Sequence, residues 1–153
     1  MEIKRISTSE ADLVIGLFNK YRIFYNQPSN LDLAKSFVNA RLENNESVVF
    51  VALAKNKGET VPVGFTQLYP KFSSGRAIKI WILNDLYVEQ EYRKQGVGKS
   101  LIMKALTYAK DDGASHVELS TAVDNYRAQR LYEYIGFQKQ NPGTDFYGYK
   151  IEV

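Results

Sequence analysis

The chain has 153 residues, of which 44% are hydrophobic and 24% are charged. This length and composition are typical of a single globular domain over residues 1–153 and exclude a disordered or fibrous protein. Twenty Lys and Arg against seventeen Asp and Glu give a net charge of +3, which suits an anionic small ligand and does not indicate nucleic acid. With no cysteine and a lone histidine, His116, neither a disulfide framework nor a metal site is expected.

The hydropathy pattern argues against a membrane protein. The longest apolar run covers residues 48–54, far below the ~20 residues that a membrane helix needs. The first four residues, Met1-Glu2-Ile3-Lys4, do not resemble the start of a signal peptide. We therefore expect a soluble, cytoplasmic protein with no membrane partner.

The first part of the chain predicts a strand and two helices. Polar and apolar residues alternate over residues 2–7, and Ser7 and Glu10 have the spacing of a capping box. The apolar stripe that follows predicts a helix to about Tyr25. Ser29 or Asn30 can cap a second helix, which should end near residues 43–45.

The middle of the chain predicts an antiparallel meander followed by a parallel crossover. Residues 48–53, 63–69 and 77–88 are rich in β-branched and aromatic residues and predict three consecutive strands. A helix should start near Gly98 and end at Gly113. A strand over residues 116–121 would then pair in parallel with the long third strand.

The last part of the chain predicts one more helix and a closing pair of strands. Asp124 can cap a helix over residues 125–135 that ends at Gly136, and strands are expected over residues 137–140 and 146–153. The fold class is therefore α+β, with a mixed, mostly antiparallel central sheet flanked by about four helices.

A basic loop follows the long third strand. Gly96 and Gly98 lack side chains where the N–H groups of a helix start can approach an anion, and Arg93, Lys94 and Lys99 add positive charge. The pattern indicates a phosphate cradle. A nucleotide-binding P-loop is disfavoured because Arg93 stands where its first glycine is required. A plain glycine turn with solvated charges is the structural alternative.

A second candidate group lies on the last predicted helix. Asn125, Ala128, Gln129 and Tyr132 are spaced at i, i+3, i+4 and i+7 and so share one helix face. Taken alone, Tyr132 would be a half-buried tyrosine at the rim of a helix contact.

These two segments carry a resemblance to a known family. Arg93-Lys94-Gln95-Gly96-Val97-Gly98 resembles the R/Q-x-x-G-x-G/A signature of the GCN5-related N-acetyltransferases, the GNAT family, and residues 128–137 with Asn125 resemble its later motif. More narrowly, residues 21–25, 64–70 and 81–86 resemble the subgroup of fungal histone and D-amino-acid acetyltransferases.

The resemblance implies a GNAT-type fold and acetyl-coenzyme A as the donor. The pyrophosphate would rest on the glycine loop, the pantetheine arm would pair with the end of the central strand, and an amide near Val88 would polarise the thioester carbonyl. The cofactor-binding residues that it implies are Leu86, Tyr87, Val88, Arg93, Lys94, Gln95, Gly96, Val97, Gly98, Lys99, Ser100, Asn125, Ala128 and Tyr132.

For the chemistry, the resemblance implies that Tyr132 faces the sulfur and donates a hydrogen bond to the departing thiolate. Some family members carry a glutamate early in the central strand, and this chain does not. Asp85 is therefore our candidate general base, acting directly or through water, and Glu89 and Glu118 are the next candidates. The alternative is that Asp85 only makes a structural pair near a strand bulge.

The expected reaction is direct acetyl transfer to a primary amine: a small amine, a polyamine, an amino acid or a lysine side chain. The alternative is a non-catalytic module that binds acetyl-coenzyme A as a sensor. The subgroup implies a homodimer formed through C-terminal strands, here near residues 146–149. The residues expected to bind the acceptor are Tyr21, Arg22, Tyr25, Tyr69, Trp81 and Asp85, with Phe72 as a further wall.

Overall fold

The computed structural model describes residues 1–141 and 145–153, which divide into two compact units, Met1–Ser120 and Thr121–Val153. That the whole chain forms one domain remains a prediction. The described residues of the second unit contain one helix, α4 (Tyr126–Ile135). The elements of the first unit are β1 (Glu2–Arg5), α1 (Asp12–Phe24), α2 (Leu31–Glu43), β2 (Val48–Asn56), β3 (Glu59–Ser73), β4 (Ile78–Val88), α3 (Val97–Asp111) and β5 (His116–Glu118).

Polar capping residues set the starts of α2 and of the short turn that precedes α1. Ser7 and Glu10 form the predicted capping box, which opens a 3-10 turn at Thr8–Glu10 ahead of α1. At α2, the Asn30 side chain accepts a hydrogen bond from the Leu33 backbone N–H at 3.0 Å. Each cap satisfies an N–H group that a helix start leaves without a partner.

The five strands of the first unit form one sheet in the order β1-β2-β3-β4-β5. The first four pair antiparallel, and β4 pairs with β5 in parallel. The predicted mixed, mostly antiparallel sheet is therefore confirmed. The parallel pair is short, because it runs only from Ile80 and His116 to Ile82 and Glu118.

The two faces of the sheet are covered by different helices. On one face, α1 and α2 pack their apolar side chains against β2 and β3, with the Phe18 ring 6.2 Å from the Phe65 ring. On the other face, the Tyr108 ring of α3 lies 5.9 Å from the Phe50 ring and 5.5 Å from the Trp81 ring. Both faces of the sheet thus bury apolar surface.

One extra residue interrupts the pairing of β3 with β4. Gln67 pairs with Asp85, but Leu68 pairs with Leu83, so Asn84 has no opposite residue and forms a β-bulge. Side chains alternate between the two faces of a strand, and one inserted residue reverses that alternation beyond it. Asp85 therefore lies on the α1 face of the sheet, whereas Trp81 lies on the α3 face.

In the second unit, α4 begins one residue later than expected. The predicted cap, Asp124, is wrong, because the Asn125 side chain accepts the hydrogen bond from the Ala128 backbone N–H at 3.2 Å. The end of the helix is confirmed: Gly136 adopts a left-handed conformation with φ of 118°.

The predicted closing pair of strands is wrong for the described residues. Residues 137–141 and 145–153 contain no strand. The side chains of Phe146, Tyr147 and Tyr149 are 88%, 89% and 94% exposed, so this segment buries too little apolar surface to stabilise a strand. Among the described residues, no helix is long and apolar enough to cross a membrane.

Gly64 of β3 lies where a side chain would meet both β4 and α3. A Cβ atom there would lie 2.9 Å from the Tyr87 carbonyl oxygen and 3.4 Å from Leu101 Cδ1. We expect Gly64→Ala to lower the free energy of unfolding by about 1–3 kcal/mol, because strand backbone must shift. In contrast, Gly16→Ala, in α1 with no atom within 4 Å of its Cβ, should raise it by about 0.5–1 kcal/mol. Urea unfolding measures both, and a shift of both variants in the same direction would contradict this packing.

Candidate active site

The loop after β4 ends in a glycine that opens α3. Gly96 is the N-cap of α3 and has φ of 83°, a left-handed conformation that favours glycine. The Ser100 N–H donates to its carbonyl oxygen at 3.0 Å, which closes the first helical turn. A Cβ atom at Gly96 would have no neighbouring atom within 4 Å, so the space beside this turn is open.

That open space belongs to a cavity of about 480 Å³ along the first half of α3. The first N–H groups of a helix lack intrahelical partners and carry partial positive charge. Two lysine side chains add to that charge, so the lining suits the phosphates of an anionic ligand. The lining residues are Gly96, Lys99, Ser100, Met103, Lys104 and Thr107.

Three of these lining residues, Met103, Lys104 and Thr107, are not among the residues that we predicted from the sequence. A signal for them is present, because they continue the three- and four-residue spacing of the predicted Gly96, Lys99 and Ser100 along one helix face. The lining of the cavity therefore extends beyond the glycine motif.

Other predicted loop residues shape the loop itself. Arg93 Nε donates to the Val88 carbonyl oxygen at 2.8 Å, and its guanidinium lies 5.6 Å from the centre of the Tyr87 ring. Gln95 Nε2 donates to the Glu91 carbonyl oxygen at 2.9 Å. Val97 is 3% exposed, so it can offer a ligand only its backbone. These contacts tie the loop to the end of β4.

The end of β4 has an unpaired edge. Pairing with β5 stops at Ile82, and within residues 1–120 no strand lies beside residues 83–88 on that side. The predicted residues Leu86, Tyr87 and Val88 occupy this stretch. An extended ligand can add to such an edge through backbone hydrogen bonds, as a further strand would.

Asp85 lies at the start of the same stretch and is 2% exposed. Its carboxylate accepts hydrogen bonds from Gln67 Nε2 at 2.5 Å and from Asn84 Nδ2 at 2.7 Å. Burial raises the pKa of this carboxyl, while the hydrogen bonds from Asn84, Gln67 and Tyr21 act in the opposite direction. A buried carboxyl with a raised pKa is suited to accepting a proton.

Two tyrosines, Tyr21 and Tyr69, interact with this carboxylate, and a third packs against Tyr21. Tyr21 Oη donates to the Asn84 carbonyl oxygen at 3.3 Å, and the Tyr21 ring lies 4.9 Å from that of Tyr25. Burial, followed by the charge of Asp85, raises the pKa of both Tyr21 and Tyr69, so both phenols stay protonated at neutral pH. The structure thus brings together Asp85, Tyr21, Tyr25 and Tyr69, four of the six predicted acceptor residues.

The other two predicted acceptor residues lie elsewhere. Arg22 Nη1 donates to the Pro28 carbonyl oxygen at 3.2 Å, in the turn between α1 and α2. Trp81 is 4% exposed on the α3 face, where its Nε1 donates to Asp112 at 2.8 Å. The bulge at Asn84 explains the second case, since it places Trp81 and Asp85 on opposite faces of the sheet.

Three further side chains were predicted near the acceptor: the two acids that follow Asp85 as candidate bases and one further wall residue. Glu89 forms an ion pair with Lys20 at 2.5 Å, and Glu118 forms one with Lys71 at 3.2 Å. Phe72 is 70% exposed on the hairpin between β3 and β4. None of these contacts involves Asp85.

In the second unit, the predicted polar face lies on α4. The Asn125 side chain caps the helix at Ala128, and Gln129 Nε2 donates to the carbonyl oxygens of Ala122 and Val123 at 3.2 and 3.0 Å. The Tyr132 ring meets the Phe137 ring edge-on at 6.0 Å.

The described part of the chain contains no group of three acidic or histidine side chains placed to hold a metal ion.

The fold and the glycine loop define an acyltransferase class. The family model described as the acetyltransferase (GNAT) family matches residues 14–137, which is most of the chain. The chain belongs to this family and is a GNAT-type N-acetyltransferase.

Individual relatives agree with this assignment. An uncharacterised N-acetyltransferase, YhfO, of Bacillus subtilis (strain 168) is 43% identical over all of this chain and 98% of its own length. A crystal structure of a probable acetyltransferase is 38% identical, with a TM-score of 0.86 over all of this chain and 98% of that one.

A more distant solved structure shares the fold. It is AAC(6')-Iy in complex with the bisubstrate analogue CoA-S-monomethyl-acetylneamine, with a TM-score of 0.77 and 18% identity. The alignment covers 98% of each chain.

The raised pKa of Asp85 predicts a pH-dependent cost to stability. A folded-state pKa above the unfolded value means that the folded chain binds the proton more tightly, so stability is lost as pH rises through the folded-state pKa. Asp85→Asn removes this titration. The free energy of unfolding of the variant, minus that of the wild type, should increase between about pH 4 and pH 8. Urea unfolding across that range measures it, and a constant or shrinking difference would contradict the burial argument.

Proposed function

We propose that the chain transfers the acetyl group of acetyl-coenzyme A directly to a primary amine. The proposal rests on one observation. Residues 85–96 of the first unit contain, in chain order, a buried carboxylate, an unpaired strand edge and an open glycine turn. Together these features offer a proton acceptor, an edge for an extended arm and a cradle for phosphates.

The residues fit the donor. The backbone of Gly96, Val97 and Gly98 would hold the pyrophosphate, with Lys99 and Lys104 supplying positive charge along the cavity. The edge at Leu86, Tyr87 and Val88 would pair with the amides of the pantetheine arm, and an N–H near Val88 would polarise the acetyl carbonyl. Acetyl-coenzyme A supplies a thioester whose carbonyl carbon is open to attack by an amine.

Asp85 is proposed to take up the proton of the attacking amine. A lysine-type amine with a pKa of ~10.4 costs about 4.6 kcal/mol to deprotonate at pH 7, whereas an α-amine near 7.7 costs only about 1 kcal/mol. The base therefore matters most for an alkyl amine. Since Asp85 is 2% exposed, the proton would reach it through water or through the neighbouring hydroxyl of Tyr21.

Tyr132 is proposed to assist the leaving group. As the C–N bond forms and the C–S bond breaks, negative charge develops on the sulfur. Complete proton transfer from a phenol of pKa ~10 to a thiolate of pKa ~8.5 would be uphill by about 2 kcal/mol, so the proposed role is hydrogen-bond donation. The support is the position of Tyr132, seven residues after Asn125, in the motif that resembles the family.

For the acceptor, we propose a cationic amine that carries no carboxylate next to the reacting nitrogen. The Asp85 carboxylate, with Tyr21 and Tyr69 near it and Tyr25 packed against Tyr21, favours a cation. Arg22, whose guanidinium would suit an acceptor carboxylate, instead donates to the Pro28 carbonyl oxygen. This favours polyamines, other small amines and lysine side chains over free amino acids.

We also propose a homodimer, as the resemblance to the subgroup implies, and a cytoplasmic location. The aromatic side chains of residues 146–149 are about nine-tenths exposed and would be covered by a second copy.

The cradle is tested by a pair of glycine variants with the same backbone strain. Gly96 and Gly113 lie at opposite ends of α3, have φ of 83° and 80°, and at either position a Cβ atom would have no neighbouring atom within 4 Å. Gly96→Ala should weaken binding of coenzyme A at least about tenfold more than Gly113→Ala, because only its methyl group enters the cavity. Isothermal titration calorimetry measures both affinities. Equal losses of affinity in the two variants would show that backbone strain causes the effect and would contradict the proposed phosphate cradle.

The reaction is tested by thiol release. The protein is incubated with acetyl-coenzyme A and a panel of polyamines, amino acids and lysine peptides, and free coenzyme A is detected with a thiol reagent. We expect release above hydrolysis with at least one cationic amine. Tight binding of acetyl-coenzyme A with no release for any amine would instead indicate the sensor module.

Two variants of α4 test the role of Tyr132 in the same assay. Tyr132→Phe should lower kcat about tenfold or more, with the affinity for acetyl-coenzyme A within a few-fold of wild type. Tyr126→Phe is the matched control, since it removes a hydroxyl from an exposed side chain of the same helix. A large loss of affinity with normal kcat in Tyr132→Phe would contradict the role in leaving-group stabilisation.

A further inference from the structure

Two amide side chains hold the Asp85 carboxylate from different sides. Gln67 lies opposite Asp85 in the β3–β4 register, and its Nε2 donates to Asp85 Oδ2 at 2.5 Å. Asn84, the extra residue of the bulge, donates from Nδ2 to Asp85 Oδ1 at 2.7 Å. Each carboxylate oxygen therefore receives one N–H donor, and the orientation of the group is fixed at both ends.

Gln67 makes this contact while leaving its own oxygen unsatisfied. The residue is 1% exposed, and its Oε1 atom has no hydrogen-bond partner among residues 1–141 and 145–153. A leucine or methionine would fill the same space without burying an unsatisfied acceptor. Rotating the amide by 180° would turn its oxygen against the carboxylate. The orientation of Gln67 is thus dictated by Asp85.

We propose that Gln67 and Asn84 are positioning residues that keep the Asp85 carboxylate charged and aimed for proton uptake. The inference rests on the proposed role of Asp85 as the base. It gives the bulge a function, because Asn84 reaches Oδ1 from a strand position that regular pairing would not contain.

Few titratable groups face this carboxylate. Tyr21 approaches from α1 and Tyr69 from β3, and both remain protonated at neutral pH. Arg41 of α2 acts on Tyr69 rather than on Asp85. The backbone oxygen of Asp85 accepts from the Thr66 hydroxyl at 2.8 Å, which does not titrate. A change in the proton affinity of Asp85 should therefore appear directly in the pH dependence of the rate.

The test compares Gln67→Met and Asn84→Ala with the wild type. Each removes one donor to the charged form, so the acid limb of the pH profile of kcat/KM for the amine should move to higher pH by about one unit, a tenfold loss on that limb. The rate should recover at high pH, and the KM for acetyl-coenzyme A should stay unchanged. Asn84 is exposed, so its variant keeps the test available if Gln67→Met fails to fold.

Two controls separate the possible outcomes. Gln140→Met makes the same substitution in the exposed C-terminal tail and should leave the profile unchanged. In protein labelled with ¹³C at aspartate carboxyl carbons, the Asp85 signal, assigned by its loss in Asp85→Asn, should titrate at higher pH in both donor variants. A moved titration with an unmoved rate profile would mean that Asp85 is not the base. An unmoved titration in both variants would overturn the proposal itself.

Discussion

The arrangement depends on one extra residue in the pairing of β3 with β4. If every residue of β4 were paired regularly, without the bulge at Asn84, side chains four apart would share a face, and Asp85 would lie on the same face as Trp81, toward α3. With it, Trp81 packs against Tyr108 in the core, and Asp85 faces α1 among tyrosines. The strand can therefore build hydrophobic core with one half and present a buried carboxylate with the other.

The same strand changes its pairing along its length. Its first half has strands on both sides, because β5 pairs with Ile80–Ile82, whereas residues 83–88 are paired with β3 alone. The open edge then leads through the Arg93-anchored loop to Gly96 and the N-terminus of α3. Burial of the carboxylate has an energetic cost, and two amide donors offset part of it. We propose that this arrangement serves the role of Asp85 as a proton acceptor.

Much of this could be predicted from the sequence, because local patterns determine local structure. The Ser7 and Asn30 caps, the β-rich segments and the glycine loop specify where elements begin and end. The bulge is marked by no such local pattern, although our alternative for Asp85 already placed a bulge near that residue. It depends on the register between two strands, so local patterns reveal neither the role of Gln67 nor the face on which Trp81 lies. The exposed tail at residues 145–153 has a composition that suits a strand, whereas a strand also requires a surface to pair with.

Amide hydrogen exchange with and without coenzyme A tests the central claim, that the unpaired edge of β4 and the turn at Gly96 receive one ligand. We expect coenzyme A to slow exchange at the backbone amides of residues 86–88 and 96–98 and to leave the β2–β3 hairpin near Gly58 unchanged. Saturating coenzyme A that protects residues 96–98 but leaves exchange at residues 86–88 unaltered would contradict the account.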